Sequence, residues 1–436
     1  FSGYTTEMLE YCIRDVELTA KVYRSLVPVM TKFSPRSIKL EHQIRAIIDQ
    51  QEKNGFTLDV QACMQLVARL SEESHEIRQQ LRVTFPPITE IRYSDKTGKR
   101  LKDKVTEFNP ASRQQIAQRL MDRGWKPSKR TDKGHVIVGE EILETIDMPE
   151  AKIISRYLLL EKRISQIKSW IDAVKDDGRV HGRVLTLRAV TGRMSHTSPN
   201  MAQVPAVYSP YGKECRSVWT VGDNGYTLLG SDASGLELRM LAHYMNDPDY
   251  TKEVVEGDVH TANQLAAGLP TRDNAKTFIY AFLYGAGASK IGKIVNGTAR
   301  DGQVLIDNFL DRTPALKKLR AMVDKLSSRG YLVGLDGRIL HVRSQHAALN
   351  LLLQGAGAIV CKEWLKHITI EAHKRKLDYK LVASIHDEYQ FEVNQQHAEE
   401  LGQVTKWAMK ETEKSLLVKC PLDSEYKTGK SWDLTH

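Results

Sequence analysis

The chain has 436 residues, of which 41% are hydrophobic, and its formal net charge is +9. This size and composition allow several domains with a buried core, which excludes a disordered tail protein. No apolar run reaches the roughly 18 residues that span a bilayer, and five scattered cysteines without a C-x-x-C pair argue against a disulfide framework or a zinc ribbon. We therefore expect a soluble cytoplasmic protein with reduced, mostly buried cysteines.

Helices are predicted for most of the first part of the chain, where apolar residues recur every three or four positions. Asn54-Gly55 is a break between two of these segments. A strand-rich section begins near Val180. The predicted helical segments are residues 7–18, 37–46, 60–82, a stretch after 109–112, and 150–174.

A polar stretch interrupts these helices after Phe85-Pro86-Pro87. Its turn-forming residues 94–99 predict a hairpin or a flexible tip. Basic residues cluster at 92–104 and again at 126–133. Such clusters are typical either of a solvated loop or of a surface that contacts phosphates, and the charge alone leaves both interpretations open.

Two carboxylates lie where short apolar runs end. Residues 226–230 lead into Asp232, and much later residues 381–385 lead into His386-Asp387-Glu388. Strands of this kind can bring their ends together in one sheet, and carboxylate oxygens are the ligands that hard divalent cations prefer. The sequence therefore predicts one divalent-metal site assembled from both strand ends.

A third segment predicts a helix with a chemically distinctive face. Thr271 is a suitable N-cap and Gly285 a suitable stop. Residues four apart lie about 40° apart around a helix, so a four-residue repeat shares one broad face. That face combines cations, which can bind phosphates, with flat rings, which can stack on a base or sugar. The alternative is a surface helix whose tyrosines pack inward. The repeated residues are Arg272, Lys276, Tyr280 and Tyr284.

In this order, the three segments resemble motifs A, B and C of the family A (Pol I-like) DNA polymerases. Residues 257–261, 271–280 and 341–350 are most similar to the replicative polymerases of T-seven-like podoviral phages. The resemblance covers nearly the whole chain and is strongest over 161–436.

The resemblance implies an α/β (α+β) right-hand fold with an antiparallel palm sheet, helical fingers and a helical thumb. The implied segments are residues 1–30 as the end of a 3′–5′ exonuclease domain, 31–187 as the thumb with a leading helix that links it to the palm, 188–244 as palm with motif A, 245–345 as fingers with motif B, and 346–436 as palm with motif C.

The family resemblance also implies roles for single residues. Asp232, Asp387 and the backbone carbonyl of Ala233 would hold two Mg²⁺ ions, for which Mn²⁺ is a possible substitute, and Glu388 would be a supporting catalytic acid. Contacts to the dNTP are implied for Glu237, His260, Arg272, Lys276, Tyr280 and Tyr284, with Glu237 selecting the sugar and the Tyr280 hydroxyl allowing dideoxynucleotides. Contacts to primer-template DNA are implied for Arg193 of Thr191-Gly192-Arg193, for Asn350, Gln354 and His386, and for Gly285, which lets Tyr284 approach the template base.

Two departures from the family pattern shape the expected function. Tyr11-x3-Asp15 resembles the last exonuclease motif, but the earlier carboxylate motifs are absent. One Asp and one Tyr cannot hold two metals, so we expect an inactive exonuclease remnant without proofreading. Phage relatives carry a long thioredoxin-binding insertion in the thumb where this chain has only the segment between Pro87 and Phe108. Thioredoxin binding is therefore not expected, and a replisome helicase, primase or single-strand binding protein could be a partner.

The sequence thus predicts primer-dependent, template-directed DNA synthesis, in phage genome replication within the host cytoplasm. Three alternatives predict other behaviour. A single-subunit RNA polymerase would lack Glu237 and would use NTPs at rates near those of dNTPs. A non-enzymatic primer-template binding protein would bind DNA without magnesium-dependent extension, and a standalone nuclease built on Tyr11 and Asp15 would degrade 3′ ends.

Overall fold

Helices are the main elements of the computed structural model, which describes residues 3–31, 33–127 and 129–435. Within these residues the helices are α1 (Thr6–Met30), α2 (Pro35–Asn54), α3 (Val60–Thr84), α4 (Arg113–Asp122), α5 (Glu140–Leu143), α6 (Pro149–Ile171), α7 (Gly212–Ser217), α8 (Leu236–Met245), α9 (Pro248–Val255), α10 (Val259–Ala267), α11 (Arg272–Leu283), α12 (Ala288–Gly292), α13 (Ala299–Arg312), α14 (Pro314–Ser327), α15 (Ala348–Lys374) and α16 (Ala398–Leu416).

The strands are short in the first half of the chain and longer near the two predicted carboxylates. They are β1 (Phe56–Leu58), β2 (Ile88–Glu90), β3 (Lys104–Thr106), β4 (Arg179–Val180), β5 (Arg183–Leu185), β6 (Ser195–Thr197), β7 (Trp219–Thr220), β8 (Tyr226–Ala233), β9 (Tyr331–Val333), β10 (Ile339–His341), β11 (Tyr379–Ile385), β12 (Glu388–Asn394) and β13 (Ser424–Gly429).

The chain divides into two compact units. The larger unit takes the residues up to Phe56, His181–Val204 and the residues from Val221 onward, and the smaller takes Thr57–Val180 and Pro205–Thr220. The smaller unit thus falls mostly within the segment predicted as thumb, and α2 belongs to the larger unit. Residues 205–220, which fall within the segment predicted as palm, lie in the smaller unit.

A four-stranded antiparallel sheet of order β11-β12-β8-β13 lies in the larger unit. Helices cover one face of it: the Tyr389 hydroxyl donates to the carbonyl of Cys361 on α15 (2.8 Å), and the Ser231 hydroxyl donates to Thr405 on α16 (3.1 Å). Because β8 lies between β12 and β13 and most of its residues are buried, it is an apolar run rather than an alternating one. This confirms the predicted antiparallel palm sheet.

The 27-residue helix α15 is the central helix of the larger unit. Its residues are apolar around most of the circumference, as expected for a helix that is covered on several sides. It packs against α2, α8, α14 and α16, and the indole of Trp364 donates to the carbonyl of Thr405 (2.8 Å). None of the helices in the described ranges is long and apolar enough to cross a membrane.

An aromatic cluster orients α11. Phe278 and Phe282 pack edge-on against Phe309 of α13, with ring centroids 5.2 and 5.5 Å apart. Such contacts add to the free energy of apolar burial. The apolar side of α11 therefore faces the helices around it, and the side that carries Arg272 and Lys276 is left accessible.

The smaller unit is built on the long helices α3 and α6, both predicted as helical segments, which pack against each other. Leu70, Leu81, Ile154 and Leu160 are fully buried between its elements. The three-stranded sheet β4-β1-β7 lies in this unit.

The polar stretch after residue 87 forms a hairpin, as the sequence predicts. Strands β2 and β3 pair with Ile88 opposite Thr106, and an isolated bridge joins Tyr93 to Arg100. Most side chains of this hairpin are exposed, so backbone pairing and local ion pairs such as Arg100 with Asp103 (2.9 Å) hold it together.

Helix α1 follows the predicted apolar spacing, yet none of its residues is buried. Tyr11 is 67% exposed, and Asp15, one helical turn away, is also exposed. The structure thus places both residues of the predicted exonuclease remnant on one solvent-facing helix. All five cysteines are free, and only Cys12 on α1 is exposed.

Candidate active site

Backbone pairing brings the two predicted strand-end carboxylates together. Strands β8 and β12 are neighbours in register, with Asp232 opposite Glu388. The backbone N–H of Ala233 donates to the carbonyl oxygen of Asp387 (3.1 Å), across the end of the same sheet. One end of the central strands therefore carries Asp232, Ala233 and Asp387, although they are far apart in sequence. We call this end of the sheet the carboxylate edge.

Asp387 is partly buried, and this burial raises its pKa. His386 and Arg193 oppose this shift, while Glu388 adds to it. Within the described part of the chain, no Lys or Arg forms an ion pair with Asp387. A buried carboxylate without a paired cation is unfavourable by itself and is stabilised by a bound cation.

The donor set at this edge fits Mg²⁺. Magnesium binds proteins through one or two carboxylates and completes its octahedral shell with water and substrate phosphates. No cluster of three or more His, Cys, Asp or Glu side chains with metal-binding geometry occurs in the described ranges. Two aspartates with a backbone carbonyl match the magnesium pattern better than a cage made only of side chains.

The Glu388 carboxylate is held by the end of the chain. Its Oε1 accepts hydrogen bonds from the indole of Trp432 (2.5 Å) and from the amide of Gln390 (2.7 Å). Thr435 in turn donates to Gln390 (2.9 Å). These bonds favour a supporting role for Glu388 over direct metal ligation. No sequence pattern pointed to Trp432, because it lies 44 positions away from the carboxylate that it contacts.

Helix α11 presents its four-residue repeat as predicted. The Thr271 hydroxyl caps the helix by accepting from the N–H of Asn274 (3.1 Å). Arg272 and Lys276 are exposed, whereas Tyr280 is partly buried. Burial raises the pKa of Tyr280, and the nearby charges of Glu237 and Asp387 raise it further, which places this ring close to the carboxylate edge.

Arg272 has a carboxylate partner that the sequence analysis missed. Asp258 accepts from Nε (2.7 Å) and Nη2 (3.1 Å) of Arg272, and these bonds hold the pKa of Asp258 well below its usual range. The same carboxylate caps α10 by accepting from the N–H groups of His260 (3.2 Å) and Thr261 (3.4 Å). Burial lowers the pKa of His260, and Arg272 and Lys276 lower it further, so the three basic residues share one region.

Glu237 and Tyr284 are joined across the site. The Tyr284 hydroxyl donates to Oε2 of Glu237 (3.0 Å), while the buried Oε1 has no hydrogen-bond partner. Burial raises the pKa of Glu237, and burial together with Glu237 raises the pKa of Tyr284 to about 12. A hydrogen bond thus links the glutamate that follows β8 to the tyrosine that follows α11.

Gly285 follows Tyr284 and allows a close backbone approach. Its φ is +74°, and a Cβ at this position would lie 2.5 Å from the carbonyl oxygen of His346. Any other residue would have to displace that backbone. The structure therefore explains why the helix stops at a glycine, as the sequence predicted.

A small cavity of about 50 Å³ brings several predicted DNA-contact residues next to the carboxylate edge. Arg193, Gln354 and His386 line it together with Glu237 and Asp387. His386 lies in the two-residue turn between β11 and β12 with a φ of +55°, and burial lowers its pKa. Three of the predicted DNA contacts are thus adjacent to the carboxylates.

Asn350 lies one turn before Gln354 on α15. Its side-chain Oδ1 is buried and has no hydrogen-bond partner. Two polar side chains at i and i+4 share one helix face. The pair therefore extends the row of polar groups that begins at the cavity.

Together these observations define the class of protein. An antiparallel sheet with two carboxylates at one edge, beside a helix with a basic and aromatic face, is the arrangement expected of a nucleotide polymerase. The family model for DNA polymerase family A matches residues 89–434, and the chain belongs to this family.

Similar proteins agree with this assignment. The DNA-directed DNA polymerases of Escherichia phage T7 and Enterobacteria phage T3 are each 35% identical, over 100% of this chain and 77% of the relative. The thermostable DNA polymerase I of Thermus thermophilus is 26% identical, over 90% of this chain and 48% of the relative. The protein is thus a phage-type DNA-directed DNA polymerase, which argues against the RNA polymerase alternative.

A solved structure shares the fold. The POL domain of Pol1 from M. smegmatis, in complex with DNA primer-template and dNTP, superposes with a TM-score of 0.79 at 21% identity, covering 90% of this chain and 70% of that one. This likeness confirms the mixed helical and antiparallel architecture expected from the sequence.

Proposed function

We propose that the chain extends primers on a DNA template by two-metal-ion nucleotidyl transfer from dNTPs, in replication of a phage genome. The main support is the edge where β8 and β12 bring Asp232 and Asp387 together, next to the basic and aromatic face of α11. Within this proposal, Asp232, Asp387 and the carbonyl of Ala233 hold two Mg²⁺ ions, or Mn²⁺ in their place. When bound, such ions activate a hydroxyl and neutralise phosphate charge.

The basic residues bind the triphosphate. Arg272, Lys276 and His260 are grouped at one end of α11 and α10, and fixed cations aimed at phosphate oxygens stabilise charge that develops during transfer. Tyr280 stacks on the incoming sugar and base, at the carboxylate end of the same face. The order from cation to ring along α11 matches the order from triphosphate to base in a nucleotide.

The primer-template contacts a separate row of polar groups. Arg193, Asn350 and Gln354 bind the minor groove, where acceptors are common to all base pairs, and therefore check shape without reading sequence. His386 lies beside the primer terminus. Tyr284, with Gly285, faces the template base.

The chain as given is proposed not to proofread. Tyr11 and Asp15 supply one carboxylate and one hydroxyl on an exposed helix, which is fewer ligands than a two-metal exonuclease needs. Incubation of a mismatched primer-template with Mg²⁺ and without dNTPs tests this. Stepwise loss of the mismatched 3′ nucleotide would contradict the proposal.

Primer extension on a defined template tests the main proposal. With Mg²⁺, we expect extension with dNTPs, termination by dideoxynucleotides and little use of NTPs; with EDTA, no extension. Wild-type protein that binds primer-template without extending it would overturn the proposed function. NTP use at rates near those of dNTPs would overturn the sugar selection alone.

Sugar selection is expected to depend on Glu237. Its hydrogen bond to Tyr284 fixes a carboxylate under the sugar of the proposed nucleotide, where a 2′-hydroxyl would collide. In Glu237→Ala, the ratio of kcat/KM for dNTP to kcat/KM for NTP should fall roughly 10- to 100-fold, the range set by removal of one steric contact. Single-nucleotide incorporation with dCTP and CTP measures this ratio.

Tyr284→Phe is the matched variant for this prediction. It removes the bond to Glu237 but keeps the carboxylate and the ring. Its ratio of kcat/KM for dNTP to kcat/KM for NTP should lie between the ratios of wild type and Glu237→Ala. Unchanged discrimination in both variants would assign sugar selection to other residues.

Asp258 is expected to position Arg272 for the triphosphate. It holds the Nε/Nη2 edge of the guanidinium and leaves the Nη1 side free for phosphate oxygens. Asp258→Asn keeps the helix cap but removes the charge, so KM for dNTP should rise roughly two- to fivefold, a modest effect because the pair is exposed. Steady-state incorporation measures KM and kcat separately.

Asp301→Asn, a change in the capping box of α13, serves as the control and should leave KM unchanged. A decrease in KM in Asp258→Asn would contradict the positioning role. It would mean that Asp258 competes with the triphosphate for Arg272.

A further inference from the structure

Four charged side chains are buried together in the larger unit, apart from the catalytic edge. Lys362 of α15 is 1% exposed, Asp336 3% and Arg338 7%, and the side chain of Glu41 on α2 is 12% exposed. We call Glu41, Asp336, Arg338 and Lys362 the buried charge cluster. None of them has a role in the proposed chemistry.

The geometry of the buried charge cluster is closely matched. Lys362 Nζ lies 2.7 and 2.8 Å from the two carboxylate oxygens of Glu41. Arg338 bridges the two acids, with Nη1 2.7 Å from Glu41 and Nη2 2.7 Å from Asp336. The two cations and two carboxylates balance, so Glu41 is the acid that both cations share.

Such clusters are costly to bury. Removing ions from water costs several kcal/mol per ion, and apolar side chains of similar volume often give equal or greater stability. Stability alone is therefore a weak reason for four buried charges. Their hydrogen bonds do, however, specify one arrangement of the segments that carry them.

The cluster also contacts the connection between β5 and β6, residues 186–194, which contains Thr191-Gly192-Arg193. The ammonium of Lys362 donates to the carbonyl of Thr186 at its start (2.9 Å). Near its end, Gly192 has a φ of +76°, and a Cβ there would lie 2.9 Å from Nη1 of Arg338. The buried charge cluster thus touches both ends of the segment.

The cluster also meets the helix that carries the other minor-groove residues. Lys362 is on α15 with Asn350 and Gln354. Gly192, Arg193 and Lys362 line one small cavity together with His386. The cluster is therefore placed to fix the position of Arg193 relative to α15 and to the turn that contains Asp387.

We propose that the buried charge cluster is a positioning device that holds residues 186–194 so that Arg193 meets the primer strand. This inference rests on the proposed function, because it assigns Arg193 to primer contact. Glu41, Arg338 and Lys362 act through Arg193 and do not touch the substrate. Their loss should weaken primer-template binding more than dNTP binding.

Glu41→Gln is the first test, because it leaves Lys362 without a carboxylate partner and Arg338 with Asp336 alone. We expect the Kd for primer-template, measured by fluorescence anisotropy without dNTP, to rise about tenfold, and KM for dNTP to change less than twofold. Gly192→Ala is the second variant, for use if Glu41→Gln does not fold. Its added Cβ would disturb the contact between residue 192 and the Arg338 guanidinium without changing any charge. It should raise the same Kd.

Glu363→Gln is the matched control. Glu363 is also a buried acid of α15, 3% exposed, and it pairs with Lys366 and accepts from Ser415 (2.9 Å). Its hydrogen-bond and ion-pair partners in the described part of the chain do not include residues 186–194. Glu363→Gln should lower Tm about as much as Glu41→Gln does and should leave the Kd for primer-template unchanged.

Hydrogen exchange separates this inference from the proposed function. Amides of residues 186–194 should exchange faster in Glu41→Gln and as in wild type in Glu363→Gln. A lowered Tm in Glu41→Gln with unchanged Kd and unchanged exchange would overturn the positioning role. If wild type fails to extend primers, the proposed function falls, whereas the exchange comparison still decides whether the cluster holds this segment.

Discussion

Replacing Asp387 with asparagine is expected to lower kcat for nucleotide incorporation at least about 10³-fold, because metal-ion stabilisation of developing charge contributes several kcal/mol. The side chain is partly buried at the sheet edge, without a paired Lys or Arg among the described residues. Asparagine keeps the shape of the side chain and removes its charge. Single-turnover incorporation at saturating Mg²⁺ measures the loss.

The same substitution should not lower thermal stability. Burial raises the pKa of Asp387, so its charge is unfavourable in the metal-free fold, and Tm without metal should stay equal or rise. Asp378→Asn is the control, since Asp378 is an exposed acid next to β11 that accepts from Tyr226 away from the edge, and it should retain full activity. More than a tenth of wild-type kcat in Asp387→Asn would contradict a metal-ligand role.

Lys276→Ala is expected to lower kcat/KM for dNTP about 10²- to 10³-fold, the effect of removing one preorganised charge from a transferring phosphoryl group. Lys276 is exposed on the α11 face and forms no ion pair within the described ranges. Arg272, by contrast, already has Asp258 as a partner. The unpaired lysine is therefore the cation most available to the triphosphate.

Lys252→Ala removes an exposed lysine of α9 and is the charge-matched control, with no expected change. Lys276→Arg should restore part of the activity, since it keeps the charge but changes its geometry. Pre-steady-state incorporation with one dNTP measures each variant. A fall of less than fivefold in Lys276→Ala would remove this residue from the triphosphate site.

Local patterns predicted the elements that carry the site. The apolar run before Asp232 became β8, the run before His386 became β11, and the capped segment after Thr271 became α11. Helix and strand periods are set by neighbours a few residues away, so the sequence displays them directly. The three-residue strand β1 was not predicted, because so short a run carries no period.

Contacts between distant segments could not be predicted in this way. Glu388 was expected as a supporting acid, but nothing in the sequence named Trp432 as its partner. Arg272 was expected to meet a triphosphate, yet Asp258 already holds it. Residues 205–220 fall within the segment predicted as palm from its position in the chain, and the folded chain places them in the smaller unit.

By itself, the sequence determined the family and predicted several of the main helices and strands, and it named the carboxylates, cations and rings that we propose for the site. Only the tertiary structure decided which charges are compensated: Arg272 by Asp258, and Glu41 by both Lys362 and Arg338. The reason is physical. Periodicity and capping depend on adjacent residues, whereas the energy of a charge depends on burial and on partners that only the folded chain brings near.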